Sequence, residues 1–124
     1  MAPPFKVAVI DDDESVRRAL QRLLQSSGYA VETFASAEEF VECDAASHTD
    51  CLLLDVHLRR VSGLQLQRML TVANQHIPIV FITSHQDEHS RQAALQAGAT
   101  DFLCKPFDTE ALLEVIERAI EHME

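Results

Sequence analysis

Five short apolar runs alternate along the chain with stretches in which apolar residues recur every three or four positions. The runs predict β-strands at residues 5–10, 30–34, 51–54, 79–82 and 101–104. The periodic stretches predict helices at about residues 14–27 and 36–43, from 63 onwards, at about 87–97 and from 107 onwards. An alternation of strand and helix repeated in this way is typical of an α/β domain with a parallel sheet and helices on both faces.

The third predicted strand ends on a charged residue. Residues 51–54 are apolar without interruption, which predicts a strand buried on both of its faces in the middle of a parallel sheet. Asp55 follows directly, and an unpaired carboxylate is too costly to bury in such a core. Asp55 is therefore expected at the carboxyl edge of the sheet, which is where open α/β folds bind their ligands.

Polar side chains follow three other predicted strands in the same way. The first strand runs into the carboxylates of residues 11–13, the fourth into Thr83 and the fifth into Lys105. Because the carboxyl ends of parallel strands meet at one edge, we expect these groups to lie around Asp55. Carboxylates, a hydroxyl and an ammonium group together indicate a site for a cation and an anion at the same place.

The composition narrows the class of protein. At 124 residues the chain is long enough for one domain with a real core. No apolar run approaches the roughly 18 residues needed to span a bilayer, and the N-terminus lacks the apolar stretch of a signal peptide. Three widely spaced cysteines predict reduced thiols in a cytoplasmic protein, two of them buried in strands. The formal net charge of -10 argues against nucleic acid as a direct partner.

Five motifs in order along the chain resemble those of response-regulator receiver domains. They are VIDDDESV, LLLD, the Ser62-Gly63 pair, FITS and AGATDFLCKPF, the last of which is close to the FixJ- and NarL-type branch of transcriptional regulators. The resemblance covers essentially the whole chain, residues 1–124, as a single receiver domain. It implies a CheY-like, flavodoxin-type α/β fold, a doubly wound (βα)5 domain whose five parallel strands have the order 2-1-3-4-5.

The resemblance also implies a role for each carboxylate. Asp55 is the expected phosphoacceptor. Mg²⁺ or Mn²⁺ is the expected cofactor, with Asp12 and Asp55 as direct ligands and Asp11 bound through water. The backbone carbonyl of His57 is expected as a further ligand.

Three further positions are expected to bind the phosphoryl group or to report its presence. By resemblance, Thr83 and Lys105 contact the phosphoryl oxygens, and inward movement of Thr83 would vacate space for Phe102 at the aromatic switch position. The face formed by the fourth helix, fifth strand and fifth helix is then the expected dimerisation or output surface. No enzymatic activity is expected beyond phosphorylation and dephosphorylation of the domain's own aspartate.

The expected partners follow from the same resemblance. A sensor histidine kinase would supply the phosphoryl group, and a second copy of the chain would bind once the domain is phosphorylated. DNA would be contacted only through an output domain that is not part of this chain, and no membrane association is expected.

Two histidines and one loop stand out beside the main motifs. His57 and His85 lie two residues past Asp55 and Thr83, where the resemblance places the approach of water to the phosphoryl group. We hypothesise that their side chains tune the hydrolysis rate. The loop departs from the family pattern, because many members have Met-Pro where this chain has Leu58-Arg59, and the missing proline removes a φ restraint.

A phosphatase of the haloacid-dehalogenase type is the alternative interpretation. The DxDxSV pattern that begins at Asp11 after an apolar strand fits that class and would make Asp11 the nucleophile. Such enzymes usually need a longer chain and a further acidic pair after a later strand, whereas Asp101 precedes its strand. A flavodoxin that binds flavin would need a hydroxyl- and glycine-rich loop where this chain has carboxylates. The two remaining interpretations differ in which carboxylate is phosphorylated, Asp55 or Asp11.

Overall fold

The computed structural model describes residues 5–84, 88–106 and 108–121. Its strands are β1 (Lys6–Ile10), β2 (Ala30–Phe34), β3 (Cys51–Asp55), β4 (Ile79–Thr83) and β5 (Asp101–Cys104). Its helices are α1 (Glu14–Ser26), α2 (Ala37–Glu42), α3 (Gly63–Val72), α4 (Glu88–Gln96) and α5 (Thr109–Glu121), with a short 3₁₀ helix at Ala45–His48. The alternation of strands and helices predicted from the sequence is therefore confirmed.

The five strands form one parallel sheet in the order β2-β1-β3-β4-β5, which confirms the expected doubly wound α/β fold. Helices α2, α3 and α4 pack on one face of the sheet, and α1 and α5 pack on the other. The strand order reverses between β1 and β3, so the edge at their carboxyl ends is where such folds bind ligands. In the part of the chain that the structure describes, no helix is long and apolar enough to cross a membrane.

The central strands contain the unbroken apolar runs of the sequence. Residues 7–10 of β1 and every residue of β3 and β4 are buried. Because helices cover both faces of the sheet, both sets of alternating side chains on a central strand must be apolar, which explains why these runs do not alternate. The edge strand β2 is less buried, and its Glu32 forms an ion pair with Lys6 at 2.8 Å.

Serine side chains mark where two of the helices begin. The Ser36 side chain caps α2 by accepting a hydrogen bond from Glu39 N, as the S-x-x-E pattern predicts. The capping box is not completed, because the Glu39 side chain accepts from Ala35 N rather than from Ser36 N. A reciprocal capping box forms instead at α3, between Ser62 and Gln65. The start of α3 is therefore firmly held, close to the carboxyl edge of the sheet.

Two segments differ from what their sequence predicts. The sequence between the second helix and the third strand predicts a loop over residues 45–50, but this segment begins with the 3₁₀ helix. The alanines Ala93, Ala94 and Ala97 predict a small packing face for α4; Ala94 is buried as predicted, but the other buried residue is Ser90. These two lie one turn apart on the same side of the helix, while Ala97 falls just past its last residue and is exposed.

The cysteines follow the prediction in part. Cys51 is buried in β3, and burial raises the pKa of its thiol to about 12. Cys104 was also expected to be buried but is only half-buried, because β5 is an edge strand. His85, one of the two histidines expected near the phosphoryl group, and Phe107, where the last helix was predicted to begin, lie outside the described residues.

The loop between β3 and α3 adopts a defined shape without the proline of the family pattern. Leu58 is buried in the core, and Gly63 N donates a hydrogen bond to Val56 O across the loop at 3.0 Å. Arg60 has a φ of 63°, which lies in the left-handed region. That conformation costs a residue with a Cβ about 1–2 kcal/mol.

Replacing Arg60 with glycine should stabilise the fold, because glycine adopts this φ without the steric penalty. We expect Arg60→Gly to raise the free energy of unfolding, measured by urea titration, by about 0.5–1 kcal/mol after the extra chain entropy of glycine is subtracted. Arg59→Gly is the matched control: Arg59 does not have a positive φ, so this variant should gain no stability. An Arg60→Gly variant that is less stable than the wild type would contradict the prediction.

Candidate functional site

The carboxyl ends of β1, β3 and β5 bring three charged side chains together, as the strand pattern predicts. Asp11 follows β1, Asp55 is the last residue of β3, and Lys105 directly follows β5 and precedes a cis peptide bond to Pro106. The Lys105 ammonium group donates a hydrogen bond to Asp11 Oδ2 at 2.7 Å and lies 3.6 Å from Asp55 Oδ2. One ammonium group therefore bridges two carboxylates at this edge.

Asp11 is held by hydrogen bonds from several directions. Its Oδ1 accepts from Asp13 N at 2.9 Å, and its Oδ2 accepts from Lys105. Its carbonyl oxygen accepts from Arg17 Nη1 at 2.7 Å, and its own N–H donates to Phe34 O at 3.2 Å. Asp11 is 0% exposed, which a carboxylate tolerates only when it is paired in this way.

Asp55 is less enclosed than Asp11. Its side chain keeps 8% of its surface exposed, and its Oδ1 accepts a hydrogen bond from His57 N at 3.0 Å. Gly63, the first residue of α3, packs directly against the Asp55 backbone, where a Cβ would clash with the carbonyl oxygen. The Ser62-Gly63 pair thus has two roles, since Ser62 caps α3 and Gly63 lets the helix approach the end of β3.

Burial raises the pKa of the Asp55 carboxyl group above its usual range. The hydrogen bond from His57 N opposes the rise, and so does the charge of Lys105, while Asp11 and Asp12 add to it. The pKa of the Lys105 ammonium group is also raised. Burial alone would lower it, but the hydrogen bond to Asp11 and the charges of Asp55 and Asp11 outweigh that effect. The Asp55 shift is therefore due chiefly to burial, whereas the Lys105 shift is due to the neighbouring carboxylates.

Three carboxylates at this edge could hold a metal ion. Asp11, Asp12 and Asp55 each offer an oxygen, and these atoms lie within 4.8 Å of one another. Asp12 is exposed, so the cluster of three carboxylates is open to solvent at Asp12. Mg²⁺ prefers hard oxygen ligands, takes one or two carboxylates and keeps several waters. The residues present therefore fit the expected cation, while the ligand role of the His57 carbonyl stays a prediction.

Thr83, the last residue of β4, is fully buried next to the site. The Lys105 N–H donates to the Thr83 carbonyl oxygen at 2.6 Å, so the two backbones are joined. Thr83 lies two residues past Phe81 and so on the same face of the sheet. On that face the Phe81 ring packs against the buried Phe102 ring, with centroids 6.1 Å apart. The structure thus brings Thr83 and Phe102 to one face, in adjacent strands.

Arg17 was not predicted from the sequence as a residue of the site, and its Nη1 donates a hydrogen bond to the Asp11 carbonyl oxygen. Asp13 was expected beside Asp55 together with Asp11 and Asp12, but its carboxylate caps α1 instead, accepting from Ser15 N and Val16 N at 2.9 and 3.4 Å. The cap had a recognisable signal, because aspartate is a favoured N-cap residue just before a helical periodicity. No sequence signal indicated the Arg17 contact, because it depends on how α1 packs against the end of β1.

The same hydrogen bonds bear on the phosphatase alternative. An Asp11 nucleophile would need an accessible carboxylate oxygen, but both of its oxygens accept hydrogen bonds and its side chain is fully buried. The second acid of that pattern, Asp13, is engaged as the α1 cap. The geometry therefore favours Asp55 as the reactive carboxylate.

The doubly wound sheet, with carboxylates and a lysine gathered at the carboxyl ends of its strands, defines the chain as a receiver domain. The sequence matches the response regulator receiver domain family over residues 7–117. The chain therefore belongs to this family, the receivers of two-component response regulators, whose function is phosphorylation-activated signalling.

Individual relatives agree with this assignment. Nodulation protein W of Bradyrhizobium diazoefficiens is 44% identical over 93% of this chain and 51% of its own length. The transcriptional regulatory protein TdiR of Thauera aromatica is 40% identical over 92% of this chain and 50% of its own. The crystal structure of FixJ-N is 37% identical, with a TM-score of 0.87, over 98% of this chain and 97% of that one. The chain thus spans about half the length of these two curated relatives.

Proposed function

We propose that a sensor histidine kinase phosphorylates this domain on Asp55. The observation that carries the proposal is the contrast between the two buried carboxylates. Asp11 is fully buried with both oxygens bonded, whereas Asp55 is partly open and its Oδ2 lies 3.6 Å from Lys105. Phosphoryl transfer requires an oxygen that can meet the incoming group in line. Asp55 Oδ2 fits that requirement, while the His57 N–H holds Oδ1 and fixes the orientation of the carboxylate.

The crowding of negative charge explains why this transfer would need a divalent cation. Two carboxylates 4 Å apart repel each other by about 4 kcal/mol at an effective dielectric constant of 20, and the phosphoryl group adds another anion. We infer that Asp12 and Asp55 bind Mg²⁺ or Mn²⁺ directly, that Asp11 binds it through water, and that the His57 carbonyl is a further ligand. The ion would supply positive charge to the phosphoryl oxygens during transfer.

Lys105 and Thr83 are proposed to complete the phosphoryl site. Lys105 would act as a point charge on one phosphoryl oxygen, and the Thr83 hydroxyl would donate a hydrogen bond to another. The hydrogen bond between their backbones supports this assignment, because it keeps the two residues adjacent. Both roles are positioning and charge stabilisation, so the only chemistry proposed is phosphorylation and dephosphorylation of the domain's own Asp55.

Thr83 and Phe102 are proposed to convert phosphorylation into a change of surface. An acyl phosphate on Asp55 would draw the Thr83 hydroxyl towards it and alter the packing beside Phe102, whose ring already contacts Phe81. Thr83 and Phe102 lie on the same face of β4 and β5, which supports a coupling between them. The surface affected is that of α4, β5 and α5, and we propose that a second copy of the domain binds there after phosphorylation.

We propose that residues 1–124 form one receiver domain and that any output domain lies outside them. The two curated relatives are about twice as long as the part that matches, and TdiR is named a transcriptional regulatory protein. Contacts with DNA would then belong to the output domain, because a chain with a formal net charge of -10 is poorly suited to bind phosphates. We place the exchange with the kinase in the cytoplasm, without membrane contact.

Incubation with acetyl phosphate and Mg²⁺ should add one phosphoryl group to the wild type and none to Asp55→Asn, as measured by intact-mass analysis. The substitution keeps the size of the side chain but removes the reactive oxygen. Chelation of the metal should also abolish the adduct, because the uncompensated carboxylates then repel the donor. Asp44→Asn, which removes an exposed carboxylate away from the site, is the control and should be modified like the wild type.

The same samples test the switch by size-exclusion chromatography. At about 10 μM, phosphorylated wild type should elute as a dimer and treated Asp55→Asn as a monomer. A dimer that forms on phosphodonor treatment of Asp55→Asn would refute the proposed coupling. An adduct that persists in Asp55→Asn but disappears in Asp11→Asn would establish the phosphatase alternative instead.

His57 and His85 are proposed to modulate the lifetime of the phosphoryl group. His57 is exposed and two residues past Asp55. We expect His57→Ala to change the dephosphorylation rate constant by at least about threefold, since a side chain that directs or activates water contributes on that scale or above. The variant retains the backbone N–H that orients Asp55, and His76→Ala on another loop is the control. Unchanged rates in both His57→Ala and His85→Ala would end the hypothesis.

A further inference from the structure

The outer surface of α2 and α3 contains most of the large apolar side chains that the described residues expose. Val41 on α2 and Met69 and Val72 on α3 are 48%, 44% and 84% exposed, and within the described ranges Phe5 is the remaining large hydrophobic residue of this kind. Exposed apolar residues that occur singly are ordinary, but a contiguous group marks an interaction site. These three residues, together with Val61 between them, are called the α2–α3 surface below.

Two grooves meet at Met69 and make the α2–α3 surface continuous. The first has a volume of about 440 Å³ and is lined by Val61, Gln65, Arg68, Met69 and Val72. The second has a volume of about 160 Å³ and is lined by Ala37, Glu38, Val41, Glu42, Val61 and Met69. Met69 and Val61 line both grooves. Methionine is flexible and polarisable, so its side chain can adapt to the shape of a partner.

The two sides of the α2–α3 surface have opposite charge. Glu38 and Glu42 border it on the α2 side, and Arg68 borders it on the α3 side. Among the described residues neither Glu42 nor Arg68 takes part in an ion pair. A two-fold axis that runs along the groove between α2 and α3 would bring the α2 side of one copy against the α3 side of the other, so opposite charges would meet twice around the apolar centre.

We propose that the α2–α3 surface is a second homodimer interface, in which the Met69 side chains meet at the centre and Arg68 of one protomer pairs with Glu42 of its partner. An interface of this kind needs a self-complementary patch with an apolar centre and a polar rim. It lies apart from the surface of α4, β5 and α5 and requires no phosphoryl group. The apolar centre is small and both copies have the same net charge, so the contact is a weak one.

Sedimentation equilibrium of the unphosphorylated protein in a chelating buffer tests the proposal. We expect a monomer–dimer equilibrium with a dissociation constant on the order of 0.1–1 mM. Met69→Glu should weaken it at least about tenfold, because it places a charge at the apolar centre. Glu42→Arg and Arg68→Glu should each weaken it by a similar factor, and the double reversal should recover the wild-type constant to within about threefold. Arg22→Glu, an exposed α1 variant with the same change of net charge as Arg68→Glu, is the control.

Several results would overturn the proposal. A wild type that remains monomeric up to about 1 mM would exclude the interface. A dimer that the single charge reversals leave unchanged would place the contact on another face, and so would a double reversal that fails to recover affinity. If the α2–α3 surface becomes shielded from solvent only when a histidine kinase is added, and not when the protein alone is concentrated, the partner of Met69 is the kinase rather than a second copy.

Discussion

An excess of negative charge at one edge of the sheet is the constraint on which the rest of the site depends. Three carboxylates, those of Asp11, Asp12 and Asp55, share that edge with the ammonium group of Lys105. Like charges so close would push flexible loops apart. Here the buried parallel strands fix the points where these residues leave the core, and backbone N–H groups hold two of the carboxylates in place. The fold therefore keeps together charges that would otherwise separate.

The unfavourable charge balance is also what prepares the site for its function. The pKa of Asp55 is raised, chiefly by burial, so the fold loses stability as the pH rises through that pKa and the group ionises. The pKa of Lys105 is raised as well, so its contribution to stability is complete below its usual pKa and is lost as the pH rises from there through the folded pKa. When Asp55 is ionised and Lys105 is protonated, the three carboxylates outnumber the ammonium group. A divalent cation would relieve that excess and admit a further anion.

The strand ends of the site could be predicted because an apolar run must stop where the chain leaves the core. That rule alone placed Asp11, Asp55 and Lys105 at one edge, and the structure brings them into contact. The hydrogen bond from Arg17 could not be predicted, because it depends on the angle between α1 and β1. The exposure of Met69 was hidden for a similar reason. Helical periodicity allows Met69 to share the packing stripe of its helix, and only the folded structure shows that its side chain is largely exposed.

The free energy of unfolding of the wild type and of Asp55→Asn, measured by urea titration at pH 7 with and without Mg²⁺, tests the central claim most directly. Without metal, the account predicts that Asp55→Asn is more stable than the wild type by about 1 kcal/mol or more, because one of the crowded charges is gone. Saturating Mg²⁺ should then stabilise the wild type more than Asp55→Asn, so that the difference between their free energies of unfolding becomes smaller or changes sign. A metal-free variant that is no more stable than the wild type would contradict the account.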